Sequence, residues 1–153
     1  MFCSVLINAR SLEPKMKSLK KCLCECNADI CLITETWLQD IERIKNVLED
    51  YQQKHDWKFL RKDRVTGGSG GGIAIGFNTK KIEMSKAKIP PNKHEIYAAI
   101  GRRRGQRRKI AVLVVYIPPS YNAERTRSLY RATNDALMAI QNKYANILLG
   151  GRF

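Results

Sequence analysis

Short apolar runs alternate with longer stretches of helical spacing along this chain, and that order predicts an α/β protein. Residues 2–7 are apolar and partly β-branched, which reads as a buried strand. Ser11 is placed to cap a helix with Pro14 in its first turn, and Met16, Leu19 and Leu23 recur at helical spacing with lysines on the other face. Asn27 and Ala28 then turn the chain into a second buried strand over 29–34. Apolar residues at 41, 44, 47, 48 and 51 predict a helix, and residues 57–61 alternate as a short strand. Residues 72–77, 95–100 and 109–116 read as strands, 121–142 as a long helix, and 145–149 as a last buried strand. No internal repeat or domain linker interrupts the pattern, so residues 1–153 are expected to form one domain.

Two of these runs end on chemistry. The first stops at Asn8 and the second at Glu35, with a helix of crossover length between them. Parallel strands joined that way bring their C-terminal ends side by side, where α/β folds place ligands. An amide oxygen and a carboxylate meeting at one sheet edge suit a hard cation such as Mg²⁺. Tyr116 ends the most apolar strand, where a core tyrosine with a wet hydroxyl is the ordinary reading.

Charge narrows the partner. The formal net charge of +14 favours a polyanion, most simply nucleic acid. Its densest run is Gly101-Arg-Arg-Arg-Gly-Gln-Arg-Arg108, a basic hairpin tip in which Arg102, Arg103 and Arg104 are candidate phosphate contacts. The five cysteines are an odd number in a chain whose Met1 runs straight into strand-like sequence. No signal peptide is expected, and the thiols should be reduced in an intracellular setting, nucleus or cytoplasm. Cys22, Cys24 and Cys26 lack zinc-site spacing and have no histidine nearby in sequence. The apolar runs fall short of the ~20 residues a membrane helix needs.

The glycine stretch Gly67-Gly-Ser-Gly-Gly-Gly72 is not a phosphate loop, because a strand follows it where a Gly-Lys-Ser/Thr and a helix should. It reads as a mobile loop entering a closely packed strand.

Several segments in order resemble one family: Asn8-Ala-Arg-Ser-Leu12, Asp29-Ile-Cys-Leu-Ile-Thr-Glu-Thr-Trp-Leu38, Asp63-Arg64 leading into Gly70-Gly-Gly-Ile-Ala-Ile75, and Val115-Tyr-Ile-Pro-Pro-Ser120. They look like the endonuclease/exonuclease/phosphatase superfamily, and most like the apurinic/apyrimidinic-endonuclease-like domain of non-LTR retrotransposons. Ile147-Leu-Leu-Gly-Gly-Arg-Phe153 resembles an altered form of the family's Leu-Leu-Gly-Gly-Asp-Phe-Asn motif. The resemblance covers the N-terminal two-thirds of the family domain. It implies a four-layer α/β sandwich, incomplete at its C-terminus, and a Mg²⁺- or Mn²⁺-dependent hydrolysis of DNA phosphodiesters. Glu35 then matches the metal-binding glutamate, Asn8 the asparagine that helps hold the same ion, and Tyr116 the tyrosine near the scissile phosphate. Arg10, Arg64 and Ser120 lie beside these motifs as weaker candidates for phosphate contact.

The departures bear on activity. Arg152 stands where the family has an aspartate that activates water, and a guanidinium neither accepts a proton nor binds a cation. Beside Glu35 it could take the ion's place as a fixed positive charge. The family's later asparagine and histidine–aspartate segments are not in this sequence. The expectation is an impaired DNA endonuclease fragment, with uncovered sheet surface that favours self-association. A non-catalytic module binding DNA or RNA, or another phosphodiesterase or phosphatase of the superfamily, are the competing readings.

Overall fold

The computed structural model describes residues 1–64 and 70–153, so the first half of the glycine stretch, 67–69, lies outside the described residues. Two four-stranded sheets pack face to face. The first comprises β1 (Ser4–Asn8), β2 (Ile30–Thr34), β3 (Trp57–Lys62) and β4 (Ile73–Asn78), in the order β1-β2-β4-β3. The second comprises β5 (Ile82–Lys86), β6 (Glu95–Arg103), β7 (Lys109–Tyr116) and β8 (Ile147–Arg152), in that order. β1 runs parallel to β2 and β7 parallel to β8, and the other pairings are antiparallel.

Helices α1 (Met16–Glu25) and α2 (Glu42–His55) cover the outer face of the first sheet, and α3 (Ala123–Gln141) covers the outer face of the second. The result is the expected four layers. The two-residue period of strands explains why the central runs are apolar throughout. In β2, Ile30 and Leu32 face the other sheet, whereas Cys31 and Ile33 join Leu19, Leu23 and Leu48 under the helices. In β7, Val112, Val114 and Tyr116 face inward, whereas Ala111, Leu113 and Val115 pack with Leu129, Ala136 and Ile140 around α3.

The structure departs from the expected elements in five respects. Ser11 caps no helix: a 3-10 turn at Glu13–Lys15 comes first, α1 starts at Met16, and Ser11 takes a left-handed φ of 76°. β1 and β8 are edge strands with alternating exposure rather than buried ones, and Leu6, Ile147 and Leu149 are exposed along them. β8 also runs on through both glycines to Arg152. β5 was not expected at all; its lysine-bearing, half-exposed residues pair only with β6. The long helix is shorter by its ends, with Asn122 as a true N-cap that accepts from the Arg125 N–H at 2.8 Å.

A buried carboxylate ties the sheets at the end remote from Asn8. Asp29 accepts the Cys3 N–H at 2.8 Å, pairs with Arg103 at 2.7 Å and lies 3.6 Å from Lys81. With its side chain only 3% exposed, removal strands positive charge that has little water to replace it. Asp29→Ala should therefore lower stability by about 2 kcal/mol, a figure reduced for the partial exposure of Arg103 and Lys81. A urea midpoint that does not move would contradict this.

Candidate active site

Strand register assembles the site. Asn8 ends β1 opposite Thr34 at the end of β2, and Tyr116 ends β7 opposite Arg152 at the end of β8. Gly151 makes that second pairing possible: its φ is 150°, and a Cβ there would come within 1.8 Å of the Val115 carbonyl oxygen. The four C-terminal ends share one rim, and Glu35, the residue after β2, stands at its centre.

Glu35 is only 7% exposed and its Oε1 gathers three donors. The Tyr116 hydroxyl donates at 2.5 Å, the Asn8 amide Nδ2 at 3.3 Å and the Arg152 Nη1 at 3.3 Å. Burial pushes the Glu35 carboxyl up. The Tyr116 and Asn8 hydrogen bonds and the charges of Arg152 and Arg10 outweigh that, so it sits below the usual glutamate range. The Tyr116 phenol is pushed up to about 12, by burial first and then by its bond to Glu35.

The backbone at this rim is strained. Arg10 and Ser11 after β1, and Glu35 and Trp37 after β2, all have left-handed φ between 43° and 76°. A short ladder holds them: Ala9 N–H donates to Thr34 O at 2.9 Å, Ser11 N–H to Glu35 O at 3.0 Å, and Leu12 N–H to Thr36 O at 2.9 Å. Trp37 N–H donates to Gly71 O at 2.9 Å. Gly71, with φ of 73°, is where the Arg64 guanidinium lies against the chain, and a Cβ would meet it at 2.3 Å. Arg64 is thus spent within the fold, ion-paired to Glu95, whose other oxygen accepts the Gly72 N–H.

Sequence reasoning overlooked Glu95, Trp37 and His94. Glu95 is a buried carboxylate opposite Tyr116 in the β6–β7 register. Trp37 is 42% exposed, two residues beyond Glu35, and has a left-handed φ of 53°. His94 lies in an open groove of about 1030 Å³ beside the rim, shared with Lys62, Ser120, Arg125 and Arg131. Its ring nitrogens each lie 3.0 Å from a hydroxyl, that of Tyr121 and that of Ser128. Burial first, then the charges of Lys62 and Arg125, hold its pKa below the ordinary value. Charged residues 93–95 just ahead of an apolar strand were the available signal for two of the three.

The remaining candidates are scattered. Arg10 is exposed at the rim and Ser120 in the groove. Arg102, Arg103 and Arg104 are elsewhere: Glu95 and Arg102 lie at opposite ends of β6, and at about 3.4 Å per residue the strand between them spans roughly 24 Å. Each is also paired, Arg102 with Glu83 at 2.9 Å, Arg104 with Glu83 at 3.0 Å and Arg103 with Asp29.

The chain belongs to the endonuclease/exonuclease/phosphatase family, which it matches over residues 5–151. No curated protein matches it in sequence. Its fold is similar to that of the human Nocturnin catalytic domain with bound sulfate (TM-score 0.70, 9% identity, covering 95% of this chain and 62% of that one). It is also similar to the 3′ phosphatase NExo from Neisseria bound to a product DNA hairpin (TM-score 0.67, 15% identity, 99% and 57%). A third similar structure is the mannosyl-6-phosphatase Bt3783 of Bacteroides thetaiotaomicron (TM-score 0.70, 12% identity, 97% and 62%). The chain thus spans about three-fifths of the length of these structures.

Members of this superfamily are generally dependent on a divalent metal. The donor set here does not fit one. Asn8 turns its N–H₂ toward Glu35, the Glu35 Oε1 is taken by three donors, and the Arg152 guanidinium sets a fixed positive charge against the same carboxylate whose Oε2 a cation would have to use. Among the described residues no three His, Cys, Asp or Glu side chains cluster to replace it.

The depressed carboxyl has a consequence for stability. In the unfolded chain Glu35 returns to about 4.3. Its interactions therefore stabilise the fold fully above that pH, and the contribution is lost as pH falls through the lower folded value. Glu35→Gln should destabilise at pH 7 and progressively less below about pH 4. Parallel pH–stability curves for the two proteins, measured by urea unfolding, would refute this.

Proposed function

We propose that this chain is the phosphodiester-recognising N-terminal part of a non-LTR-retrotransposon-type endonuclease domain, one that binds nucleic acid but hydrolyses it poorly or not at all. The observation that carries this is the Arg152–Glu35 pair. Hydrolysis needs an oxygen or nitrogen free to take a proton from water or to orient it. At this rim the Glu35 Oε1 is taken by three donors and its neighbours make the whole carboxylate a weak base, Glu95 is held by Arg64 and the Gly72 N–H, and Arg152 offers donors only. The Mg²⁺ or Mn²⁺ that the resemblance implies finds no seat in that set as it stands.

Nucleic acid is favoured over a sugar phosphate or another small ester by Trp37 and by charge. An exposed indole beside a phosphate-facing rim offers a face on which a base stacks, worth about 1–3 kcal/mol per base. The net charge of +14 supplies attraction that does not depend on sequence. Arg102, Arg103 and Arg104 would then form a second, remote contact, with Arg103 the least available because Asp29 holds it.

In a single-turnover assay on supercoiled plasmid with Mg²⁺, no nicking above the uncatalysed level is expected. Mg²⁺-dependent nicking that Glu35→Ala abolishes would overturn the reading. Binding to oligothymidylate should weaken steeply with salt, and Trp37→Ala should lower affinity about tenfold at fixed salt. The double change Arg102→Ala with Arg104→Ala should reduce the salt slope while leaving the stacking contribution intact.

A further inference from the structure

Arg152 does more than displace a metal. Its side chain is 48% exposed, and only Nη1 is directed at Glu35. A guanidinium carries five N–H donors in a rigid fork, so one bond to Glu35 from a half-exposed side chain leaves donors over for a ligand. Arg10 adds a second, exposed guanidinium on the same rim, since its neighbour Ser11 donates its N–H to the Glu35 carbonyl oxygen at 3.0 Å. Two guanidiniums against one carboxylate leave the rim with surplus positive charge beside the Asn8 amide. That combination resembles a seat for an oxyanion.

We propose that the Glu35 rim binds a phosphate oxyanion directly, without a divalent cation, through the free donors of Arg152 and the charge of Arg10, and that Arg152 keeps divalent cations out. The inference rests on taking this rim as the working site of the proposed function. The ligand class is a phosphate mono- or diester. Guanidiniums recognise these bidentately, and a charged hydrogen bond to phosphate is stronger than a neutral one. Glu35 then acts as a positioning residue: it fixes the Arg152 fork and stays anionic. The same charge arrangement is hostile to a dication, which would meet a guanidinium in front of the one carboxylate that could hold it.

The test uses the whole chain with two simple probes, dimethyl phosphate and Mn²⁺ alone, read by NMR. With EDTA present, dimethyl phosphate should shift the Arg152 and Arg10 Nε–H signals saturably. Millimolar Mn²⁺ should leave amide signals near Asn8 and Glu35 unbroadened. Arg152→Asp should reverse both results, weakening the phosphate response at least tenfold and introducing Mn²⁺ broadening around Glu35. Arg152→Lys should retain the phosphate response in weaker form. If Arg152→Asp disturbs β8, Arg152→Gln and the wild-type Mn²⁺ measurement decide. Mn²⁺ broadening around Glu35 in the wild type, or a phosphate response indifferent to Arg152, overturns the inference. Tight oligonucleotide binding together with a silent rim would sink this inference alone, leaving nucleic-acid binding to another surface. A responsive rim in a chain that binds no oligonucleotide would uphold the oxyanion seat and remove the nucleic-acid reading.

Discussion

Ile30 and Leu32 of β2 pack with Val112 and Val114 of β7 across the inter-sheet layer, a gap of about 10 Å between backbones. The rest of the molecule follows from that contact. Because strand side chains alternate, the same face of β7 that carries Val112 and Val114 must carry Tyr116 at its end. The parallel partner β1 must in turn bring Asn8 level with the end of β2. Glu35, one step past β2, therefore meets a phenol from one sheet and an amide from the other without a long-range loop to place them. Shifting β7 by one residue would turn Tyr116 toward α3 and dissolve the site while leaving a core just as apolar.

The same geometry shows how much the chain's residues announce in advance. β2 and β7 are covered on both faces, and such strands leave continuous apolar runs that are hard to misread. β1 and β8 carry similar runs, but edge position depends on which strands lie alongside, and no local pattern encodes that. Ser11 looked like a cap because Pro14 follows it. The ladder between residues 9–12 and 34–36 pulls it into a left-handed turn instead, a tertiary override of a local signal. The meeting of Asn8 with Glu35 could be foreseen from the crossover length. The arrival of Arg152 depends on Gly151 keeping β8 in register, and two glycines after an apolar run do not announce that the strand continues. The role of Glu95 is hidden for a similar reason, although its charge beside an apolar strand is visible: its partners Arg64 and Gly72 belong to another sheet's approach.

Carboxylates close both ends of the sandwich, with different consequences. Asp29 at one end accepts from a backbone N–H and pairs with Arg103 and Lys81, joining the start of β2 to the far end of β6. Glu35 at the other end is also surrounded by donors, yet the residues that bring them are strained. A non-glycine residue in the left-handed region costs on the order of 1–3 kcal/mol in the most crowded cases. Arg10, Ser11, Glu35 and Trp37 all adopt it within two short segments. A fold seeking only stability has no use for four such residues side by side. Concentrated strain of this kind marks a place where the direction of side chains matters more than backbone comfort.

What those side chains achieve separates two functions that a metal ion would combine. A dication beside a carboxylate attracts phosphate and also acidifies water or a leaving group bound to it. A guanidinium does the first and not the second, since it neither loses its proton near neutrality nor offers an empty coordination position. On the proposed function, Arg152 would therefore keep the electrostatic attraction for a phosphate without supplying the means of activating a nucleophile. On the same reading, the strained rim, the exposed Trp37 indole and the basic surface would all serve recognition, and the Arg152 charge would be one of the departures that set cleavage aside.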